Sequence, residues 1–443
     1  MRSYLIIGMC VIFLIQYFLK LQWLEYTVVT LSLLAFLGST LKADKFPRWL
    51  GIIMMTAGLL IEWNKDTGIE GISEGIFLIL PLLSLITLSP LLSIPLRLGG
   101  YFNSISVLLR NLLLHPKKLY AGISGTLFLL TPILNLGSVR IINEFLEELK
   151  LPSALSAKGY IVGFATAVMW SPYFASVSLV LLYLNIPYKD YIIYGIGFSL
   201  LSLVIGNVLF AIWEKRHPLT KEAGVKVPLE KQHQKQLVKL VFFVILLIGS
   251  CLVIEHITNW SMIVIVCLVS IIIPLIFGIV SKRWYELIPR LVDFRDRTVS
   301  MLNNEIMLFM SAGMLAFAMK GTAAANGVSD FLTTLAHQSV LLFAIAVMVI
   351  VLCITYIGIH QIAAVGALAM QLNAVELGIS NISLALLLLL TWSISTALSP
   401  FSGLNLMVSR IAGVSGVQTG LRYNGLHLFI IAVIGIGVIS VIG

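Results

Sequence analysis

Charged residues are scarce in this chain of 443 residues, and together they make up 11% of it, against about 25% in soluble domains. Hydrophobic residues make up 59%, and the mean hydropathy is +1.01. The sequence contains roughly ten apolar stretches of the length that one bilayer crossing requires. These stretches are continuous rather than alternating, which excludes a β-barrel. The composition therefore indicates a polytopic helical membrane protein.

Cysteine is also rare, with four residues in the whole chain. Cys10, Cys251, Cys267 and Cys353 are far apart and lie inside apolar runs or at their ends. Buried free thiols are the expected state of such residues, so neither a disulfide framework nor a metal site is indicated.

Motifs of enzymes that hydrolyse nucleotides or peptides are missing. The sequence has no Walker A loop, no His-Glu-x-x-His and no paired-aspartate motif, so an ATPase or an intramembrane hydrolase has no support. We predict that the chain is not an enzyme and has no cofactor. The net charge of +9 comes from basic residues between the apolar runs, where cytoplasmic loops carry them. It is therefore no sign of a nucleic-acid partner.

Two short stretches, residues 165–173 and 393–401, each place a Ser-Pro pair and small hydroxyl residues inside an apolar run. Proline removes a hydrogen bond from the helix and clashes with the preceding turn, so each helix should kink or open there. An opened helix in a membrane needs protein or a wet cavity around it. Paired interruptions in two halves of a chain are typical of a transporter's binding site.

Loop charges predict the topology. Basic segments at residues 42–48, 97–118 and 282–297 indicate the cytoplasm, whereas residues 321–339 contain no Lys or Arg and should lie outside. Residues 6–19 are interpreted as the first span rather than a cleaved signal. These assignments give a multi-pass protein of the plasma or inner membrane, with a cytoplasmic N-terminus and an external C-terminus. They also require two re-entrant hairpins that open to opposite sides.

The predicted fold class is an all-α polytopic membrane protein with about 11 transmembrane helices and two re-entrant hairpins in two inverted repeats. Scaffold helices occupy residues 1–73, and a cytoplasmic linker spans 213–239. The first repeat covers 74–212, with a hairpin at 119–150 and a broken helix at 159–184. Scaffold helices and an inner amphipathic segment follow at 240–300. The second repeat covers 301–443, with a hairpin at 340–372 and a broken helix at 381–409.

The order of hairpin and broken span in both halves, together with residues 305–315 (Glu-Ile-Met-Leu-Phe-Met-Ser-Ala-Gly-Met-Leu), resembles the ion transporter superfamily. That group includes the divalent anion/sodium symporters, the citrate carriers and the arsenite permeases. The resemblance covers residues 74–443. It implies a secondary carrier that works by an elevator-like movement and is often a homodimer. The Ser-Asn-Thr signature of the dicarboxylate branch is absent, and residues 131–138 and 355–361 stand in its place.

The hairpin tips and the broken helices supply the candidate substrate site, a neutral pocket rich in hydroxyl groups. Arg140 could pair with an anionic substrate, and His360 could change protonation during transport. Each could instead be structural, as a snorkelling arginine or a hydrogen-bonded histidine. The candidate substrate residues are Thr131, Asn135, Gly137, Ser138, Arg140, Ser171, Pro172, Thr355, Gly358, His360, Gln361, Ser399, Pro400, Ser402 and Asn405. The candidate sodium ligands are Ser171, Ser176, Thr396 and Ser399.

These features predict secondary active transport of a small anion, a carboxylate or an inorganic oxyanion, coupled to sodium or protons. The alternatives are a sodium/proton antiporter and a membrane protein that handles a lipid-linked substrate. Antiport is less favoured because no Asp or Glu lies mid-span beside the Ser-Pro pairs, where a proton carrier is expected. The aromatic and basic segment at residues 282–297 would suit lipid head groups. The predicted partners are the small anion, the lipid bilayer and a second copy of the chain.

Overall fold

The computed structural model describes residues 2–65, 67–147, 151–219 and 230–442, and all regular secondary structure in those ranges is helical. This confirms the predicted all-α polytopic membrane fold. Within those ranges, eight helices are long and apolar enough to cross a membrane. The count becomes nine if the bent pair Trp284–Met301 and Asn303–Met319 is one span.

About eleven spans were predicted, and the difference has a physical reason at three of them. The helix Lys45–Trp63 contains Lys45, Arg48 and Glu62, so it is less apolar than a typical crossing. The predicted broken helix at 159–184 is divided into two short helices. The helix Asn303–Met319 belongs to the bent pair, whose two parts meet at 56°.

The N-terminal part forms a packed group with a glycine-lined contact. Its helices are α1 (Arg2–Leu19), α2 (Gln22–Thr40), α3 (Lys45–Trp63), α4 (Gly68–Leu88), a 3₁₀ turn (Ser89–Leu92), α5 (Ser93–Leu98) and α6 (Tyr101–Asn111). A Cβ at Gly58 would lie 3.0 Å from the backbone nitrogen of Leu315, in a helix much later in the chain. Small residues at such contacts let membrane helices approach closely.

The next part contains the first helical hairpin and the first break. Its helices are α7 (Pro116–Leu134), α8 (Leu136–Leu146), α9 (Ser153–Ala167), α10 (Ala175–Tyr183) and α11 (Tyr188–Arg216). We call α7, Asn135 and α8 the first hairpin, and residues 168–174 the first break. Residues 148–150, at the end of the predicted hairpin, lie outside the described residues.

A long pair of helices, α12 (Lys231–Thr258) and α13 (Met262–Ser281), follows. Helices reach into both ends of the predicted cytoplasmic linker at 213–239, because α11 continues to Arg216 and α12 begins at Lys231. Residues 220–229, in the middle of that linker, lie outside the described residues. Then come α14 (Trp284–Asp293), a π-helical turn (Phe294–Thr298), α15 (Val299–Met301), α16 (Asn303–Met319) and α17 (Ala323–Gln338). In α14, Leu287 is buried whereas Tyr285 is 94% exposed, as in an amphipathic helix.

The C-terminal part contains the second helical hairpin and the second break. Its helices are α18 (Val340–Tyr356), α19 (Gln361–Gln371), α20 (Asn381–Leu398), α21 (Gly403–Ala412), a π-helical turn (Gln418–Tyr423) and α22 (Asn424–Ile442). We call α18, residues 357–360 and α19 the second hairpin, and residues 399–402 the second break.

Polar contacts tie helix ends together at two opposite ends of the molecule. At one end, Arg2 donates to the Ser300 carbonyl at 2.6 Å, and Lys117 pairs with Glu214 at 3.4 Å. We call this the basic end, since Arg2, Lys117 and Arg216 lie there. At the other end, the Ser261 amide donates to Tyr17 at 3.0 Å, and Lys65 donates to the carbonyl of Lys320 at 2.8 Å. We call this the opposite end.

The first hairpin packs tightly against the helix that leads into the first break. A Cβ at Gly163 of α9 would lie 2.7 Å from Leu127 Cβ and 2.8 Å from Ser124 Cα, both in α7. Real Cβ atoms do not tolerate such distances from backbone, so an alanine there must push α9 away from α7. By contrast, a Cβ at Gly125, on the same α7 helix, would meet nothing within 4 Å.

Gly163→Ala should therefore destabilise the protein, by about 1–3 kcal/mol if the overpacking is typical. Gly125→Ala should leave stability unchanged or raise it slightly, because alanine favours a helix. Thermal unfolding of the two purified variants in detergent checks this. Equal melting temperatures would contradict the close contact between α7 and α9.

Candidate functional site at two opened helices

The first break opens a helix in the buried interior, and side-chain hydroxyl groups donate hydrogen bonds to the backbone carbonyls that the break leaves without helical partners. Ser176 donates to the Val168 carbonyl and Ser178 to the Pro172 carbonyl, both at 2.7 Å. Tyrosines from α11 complete the set. The Tyr191 hydroxyl donates to the Met169 carbonyl at 2.7 Å, and the Tyr188 hydroxyl to the Trp170 carbonyl at 2.8 Å. The opened backbone is thus satisfied by protein alone.

Ser171 and Pro172, which prompted the prediction of this break, are both buried and lie between the two helices. The Ser171 hydroxyl accepts a hydrogen bond from the Tyr173 amide at 3.2 Å, and the Ser171 carbonyl accepts one from the Phe174 amide. The Tyr173 hydroxyl in turn reaches α12, where it contacts the Leu247 carbonyl at 3.3 Å and Cys251 Sγ at 3.2 Å. The break is therefore fixed to α12 as well as to α11.

The second break follows the same chemistry with different side chains. The Ser402 hydroxyl donates to the Thr396 carbonyl at 2.6 Å, and the side-chain amide nitrogen of Asn405 donates to the Ala397 carbonyl at 3.0 Å. Ser399 donates to the Thr355 carbonyl at 2.8 Å, so this break is joined to the second hairpin. Pro400 is half-buried beside it.

The two opened helices meet each other and the hairpins. Just ahead of the breaks, the Ser393 hydroxyl of α20 donates to the Ala165 carbonyl of α9 at 2.8 Å. A Cβ at Gly403, at the start of α21, would lie 3.2 Å from Leu136 Cδ1 at the tip of the first hairpin. A Cβ at Gly366 of α19 would lie 3.7 Å from Leu179 Cδ2 of α10. Each hairpin therefore contacts the half-helix that follows the other half's break.

The first hairpin turns at Asn135, whose backbone φ of +50° is unusual for a residue other than glycine. Its side chain accepts from the Leu136 amide at 2.8 Å and caps α8. Thr131 and Ser138 are fully buried, and their hydroxyl oxygens lie 2.9 Å apart. Gly137 is half-buried. The tip hydroxyls thus bond to each other rather than to either break.

At the second hairpin, Gly358 has a φ of +103°, and a Cβ there would lie 3.1 Å from Phe46 Cζ. His360 accepts from the Ile362 amide through Nδ1 at 3.2 Å, and its ring centroid lies 5.5 Å from that of Phe309. This cap favours the structural reading of His360 over a titrating one. The remaining predicted residues of this hairpin, Thr355 and Gln361, are buried.

Arg140 is exposed on α8 and makes no ion pair within the described ranges. The side-chain hydroxyl groups of the four predicted sodium ligands differ in whether they already make hydrogen bonds. Ser171, Ser176 and Ser399 already hydrogen-bond to backbone groups. The hydroxyl of Thr396, by contrast, makes no hydrogen bond to a described residue. Among these four ligands, Thr396 therefore has the most freely available oxygen.

Two buried polar atoms beside the breaks lack a hydrogen-bond partner in the described part of the chain, namely Trp170 Nε1 and Asn405 Oδ1. Trp170 is 2% exposed and its ring lies 5.2 Å from that of Phe128 in the first hairpin. Asn405 is fully buried, and its amide nitrogen serves the second break. An unpaired buried donor or acceptor costs about 1–3 kcal/mol, so these atoms favour a ligand, an ion or a water here.

Three residues that position the first break were not among the predicted site residues: Tyr188, Tyr191 and Glu255. Glu255 lies in α12 and is 6% exposed. Its carboxylate accepts from the amides of Tyr188 at 2.8 Å and Lys189 at 3.0 Å, which caps α11. A signal was present in the sequence, since Tyr188 and Tyr191 lie one helical turn apart behind Pro187.

Two opened helices that meet each other and two hairpins are typical of a membrane transporter. Residues 161–442 match the family model described as "Tripartite ATP-independent periplasmic transporter, DctM component". This match begins in α9 and continues through both breaks to the end of α22, which is more than half of the chain. The chain belongs to this DctM family. It is therefore a secondary-transporter component and not an enzyme.

The predicted membership of the ion transporter superfamily is wrong, because the family model that matches is that of the DctM component. Hairpin order and the run at residues 305–315 were not specific enough to distinguish the families. Among solved structures, the chain is similar to the YdaH transporter of Alcanivorax borkumensis, with 13% identity and a TM-score of 0.57. That alignment covers 90% of this chain and 98% of the other, and it shows a shared fold. No curated protein sequence matches the chain significantly.

Removing the tyrosine hydroxyls at the first break should destabilise the protein. Tyr188→Phe and Tyr191→Phe each leave one buried carbonyl without its donor, at a cost of about 1–3 kcal/mol. Tyr194→Phe, on the same helix, is the matched control, because the Tyr194 side chain is exposed and its hydroxyl bonds to no described residue. Thermal unfolding in detergent provides the measurement. If all three variants melt together, these hydroxyls do not support the break.

Proposed function

We propose that the chain is a secondary active transporter that carries a small anion, a carboxylate or an inorganic oxyanion, across the membrane, and that this movement is coupled to a sodium or proton gradient. The observation that carries this proposal is the meeting of two buried, opened helices at the Ser393–Ala165 contact. Paired interruptions of this kind hold substrates and coupling ions in secondary transporters.

The chemistry around the breaks suits an anion. Half-helices α10 and α21 begin directly after the breaks, and a helix N-terminus favours negative charge. Trp170 adds a buried N–H donor without a partner among described residues. No described Asp or Glu lies in either break, so an anion there would meet no like charge. The Asn405 Oδ1 and Thr396 hydroxyl oxygens would suit a small cation such as sodium.

We further propose that the two halves are inverted repeats whose re-entrant hairpins enter from opposite sides. The first hairpin starts at Pro116, beside the Lys117–Glu214 pair of the basic end. The second hairpin follows α17, which comes after α16, whose last turn is held at the opposite end through Lys65 and Lys320. The tip of this hairpin, at Gly358, lies beside Phe46 at the start of α3, which is the end of that helix remote from Lys65. Because basic residues mark the cytoplasmic side, this arrangement supports a cytoplasmic N-terminus and an external C-terminus. Alternation would be elevator-like.

Partner components follow from the family description. A tripartite transporter has three components, and members of the DctM family work with DctQ and DctP. We propose that this chain works with two such partners, which the sequence analysis did not predict. The second copy of the chain stays a prediction of the sequence analysis.

Uptake of labelled anions into proteoliposomes tests the proposal, with the chain reconstituted alone and together with its two partner components. Under an imposed sodium or proton gradient, the Ser171→Ala plus Ser399→Ala variant should lose at least about tenfold in uptake, since each serine fixes one break. Ser270→Ala is the control, because this buried serine bonds only within its own helix, to the Val266 carbonyl.

Equal uptake by the double variant and the wild type would contradict a role for the breaks. A change of internal pH driven by sodium, without movement of any anion, would instead support the sodium/proton antiporter. Omitting each gradient in turn identifies the coupling ion.

A further inference from the structure

Lys158 of α9 lies among helices at the basic end, and its ammonium group forms no ion pair with a described residue. Its Nζ donates to the carbonyl of Tyr423, the last residue of the π-helical turn Gln418–Tyr423. We call this turn the C-terminal π turn. The same Nζ lies 5.5 Å from the centroid of the Trp213 ring. The half-buried Lys158 is therefore held by a carbonyl dipole and an aromatic face, with no described Asp or Glu within ion-pair distance.

A second basic group lies beside Lys158. His427, in the first turn of α22, is 7% exposed, and the charge of Lys158 acts on its imidazole. Its Nε2 lies 3.1 Å from the Ser202 carbonyl, to which it can only donate. Nδ1 is thus a bare acceptor, and it is buried without a hydrogen-bond partner among the described residues. Two bases so close share one proton more readily than they hold two.

Other charged groups around α9 and α22 do not neutralise Lys158. At the basic end, Lys117 and Glu214 pair with each other, whereas Glu144 and Glu147 are exposed. The exposed cations on the elements packed against α9 are Lys118, Lys215, Arg216, Arg410 and Arg422. The other titratable side chains near this end are Tyr120, Tyr160, His217, Cys353, Tyr356 and Tyr423. Lys189 and Asp190 lie at the other end of α11. A proton gained or lost at Lys158 therefore changes the charge here by a full unit.

The bond from Lys158 to the C-terminal π turn links the two breaks. Its helix, α9, leads into the first break, and the turn lies against the backbone just ahead of the second. A Cβ at Gly420 would lie 2.6 Å from the carbonyl oxygen of Leu398 and 2.9 Å from that of Ala397. A Cβ at Gly416 would lie 3.0 Å from Asn405 Oδ1. With so little space between them, a shift of the turn must also move the backbone of the second break.

We propose that Lys158 is a positioning residue that binds and releases one proton, and that its charge sets how firmly α9 holds the C-terminal π turn against the second break. With the proton bound, the ammonium donates a charge-assisted hydrogen bond to the Tyr423 carbonyl. When the proton passes to water at the basic end or to Nδ1 of His427, a neutral amine donates a weaker one. The effect on transport rests on the proposed function, whereas proton binding does not.

The fluorescence of Trp213 tests proton binding, because the ammonium group lies over its ring. The signal is the difference between the full-length chain in nanodiscs and its Trp213→Phe variant. Both carry His217→Gln, since His217 stacks on the same ring at 5.0 Å. A titration from about pH 5 to 11, which spans the ordinary range of His and Lys, should show a step.

Substitutions of Lys158 identify the group that titrates. Lys158→Met should remove the step because it has no charge, and Lys158→Arg should remove it because the guanidinium keeps its proton. Lys118→Met, which changes an exposed lysine at the same end, is the control and should keep the step. Thermal unfolding shows whether each variant is folded.

Uptake of labelled anions into proteoliposomes gives the second measurement. The uptake rate should change about tenfold across the pH of the fluorescence step, as expected when a charged donor replaces a neutral one. In Lys158→Arg the rate should not change across that pH. A purely structural lysine would alter stability without altering this pH profile.

The proposal is overturned if the unchanged chain shows no step, or if the step remains in Lys158→Met. Loss of the step in His427→Gln together with its presence in Lys158→Met would assign the proton to the imidazole instead. A step without anion uptake under any gradient would contradict the transport function and leave the proton site standing. Uptake that is indifferent to the step would contradict the link from Lys158 to the breaks.

Discussion

Backbone carbonyls freed inside a membrane must find hydrogen-bond partners, and this requirement governs where the chain opens its helices. Proline alone does not open them, because Pro81, Pro132 and Pro274 all lie inside continuous helices. At the first break, serine and tyrosine hydroxyls donate hydrogen bonds to the freed carbonyls, and at the second break the side chains of Ser402 and Asn405 do so. Helices open where proline coincides with donors that can reach the freed carbonyls.

The same bonds connect the breaks to the rest of the molecule. Glu255 of α12 caps α11, Tyr188 of α11 holds the Trp170 carbonyl, and Tyr173 of the break returns to α12. The second break is joined instead to the second hairpin through Ser399 and Thr355. A movement of either hairpin or of α12 would therefore be transmitted to the backbone that we propose as the binding site. This arrangement couples the position of the helices to the geometry of the site.

The sequence predicted what depends on local chemistry. Composition was sufficient for the helical membrane fold, and the Ser-Pro pairs marked the segments where Ser171 and Ser399 lie between helices. What it missed depends on contacts between distant segments. Tyr191 reaches Met169 across 22 positions and Glu255 reaches Tyr188 across 67, and no local pattern specifies such pairs. The family was assigned wrongly because an order of apolar segments, plus one run at residues 305–315, is shared too widely to identify it.

A map of the chain bound to a transported anion tests the central claim most directly. The account predicts density for the anion in contact with both residues 168–174 and residues 399–402, with Trp170 Nε1 or a half-helix N-terminus as a donor. Density located away from both segments would contradict it. So would helices that run without interruption through Ser171 and Ser399 in the bound state.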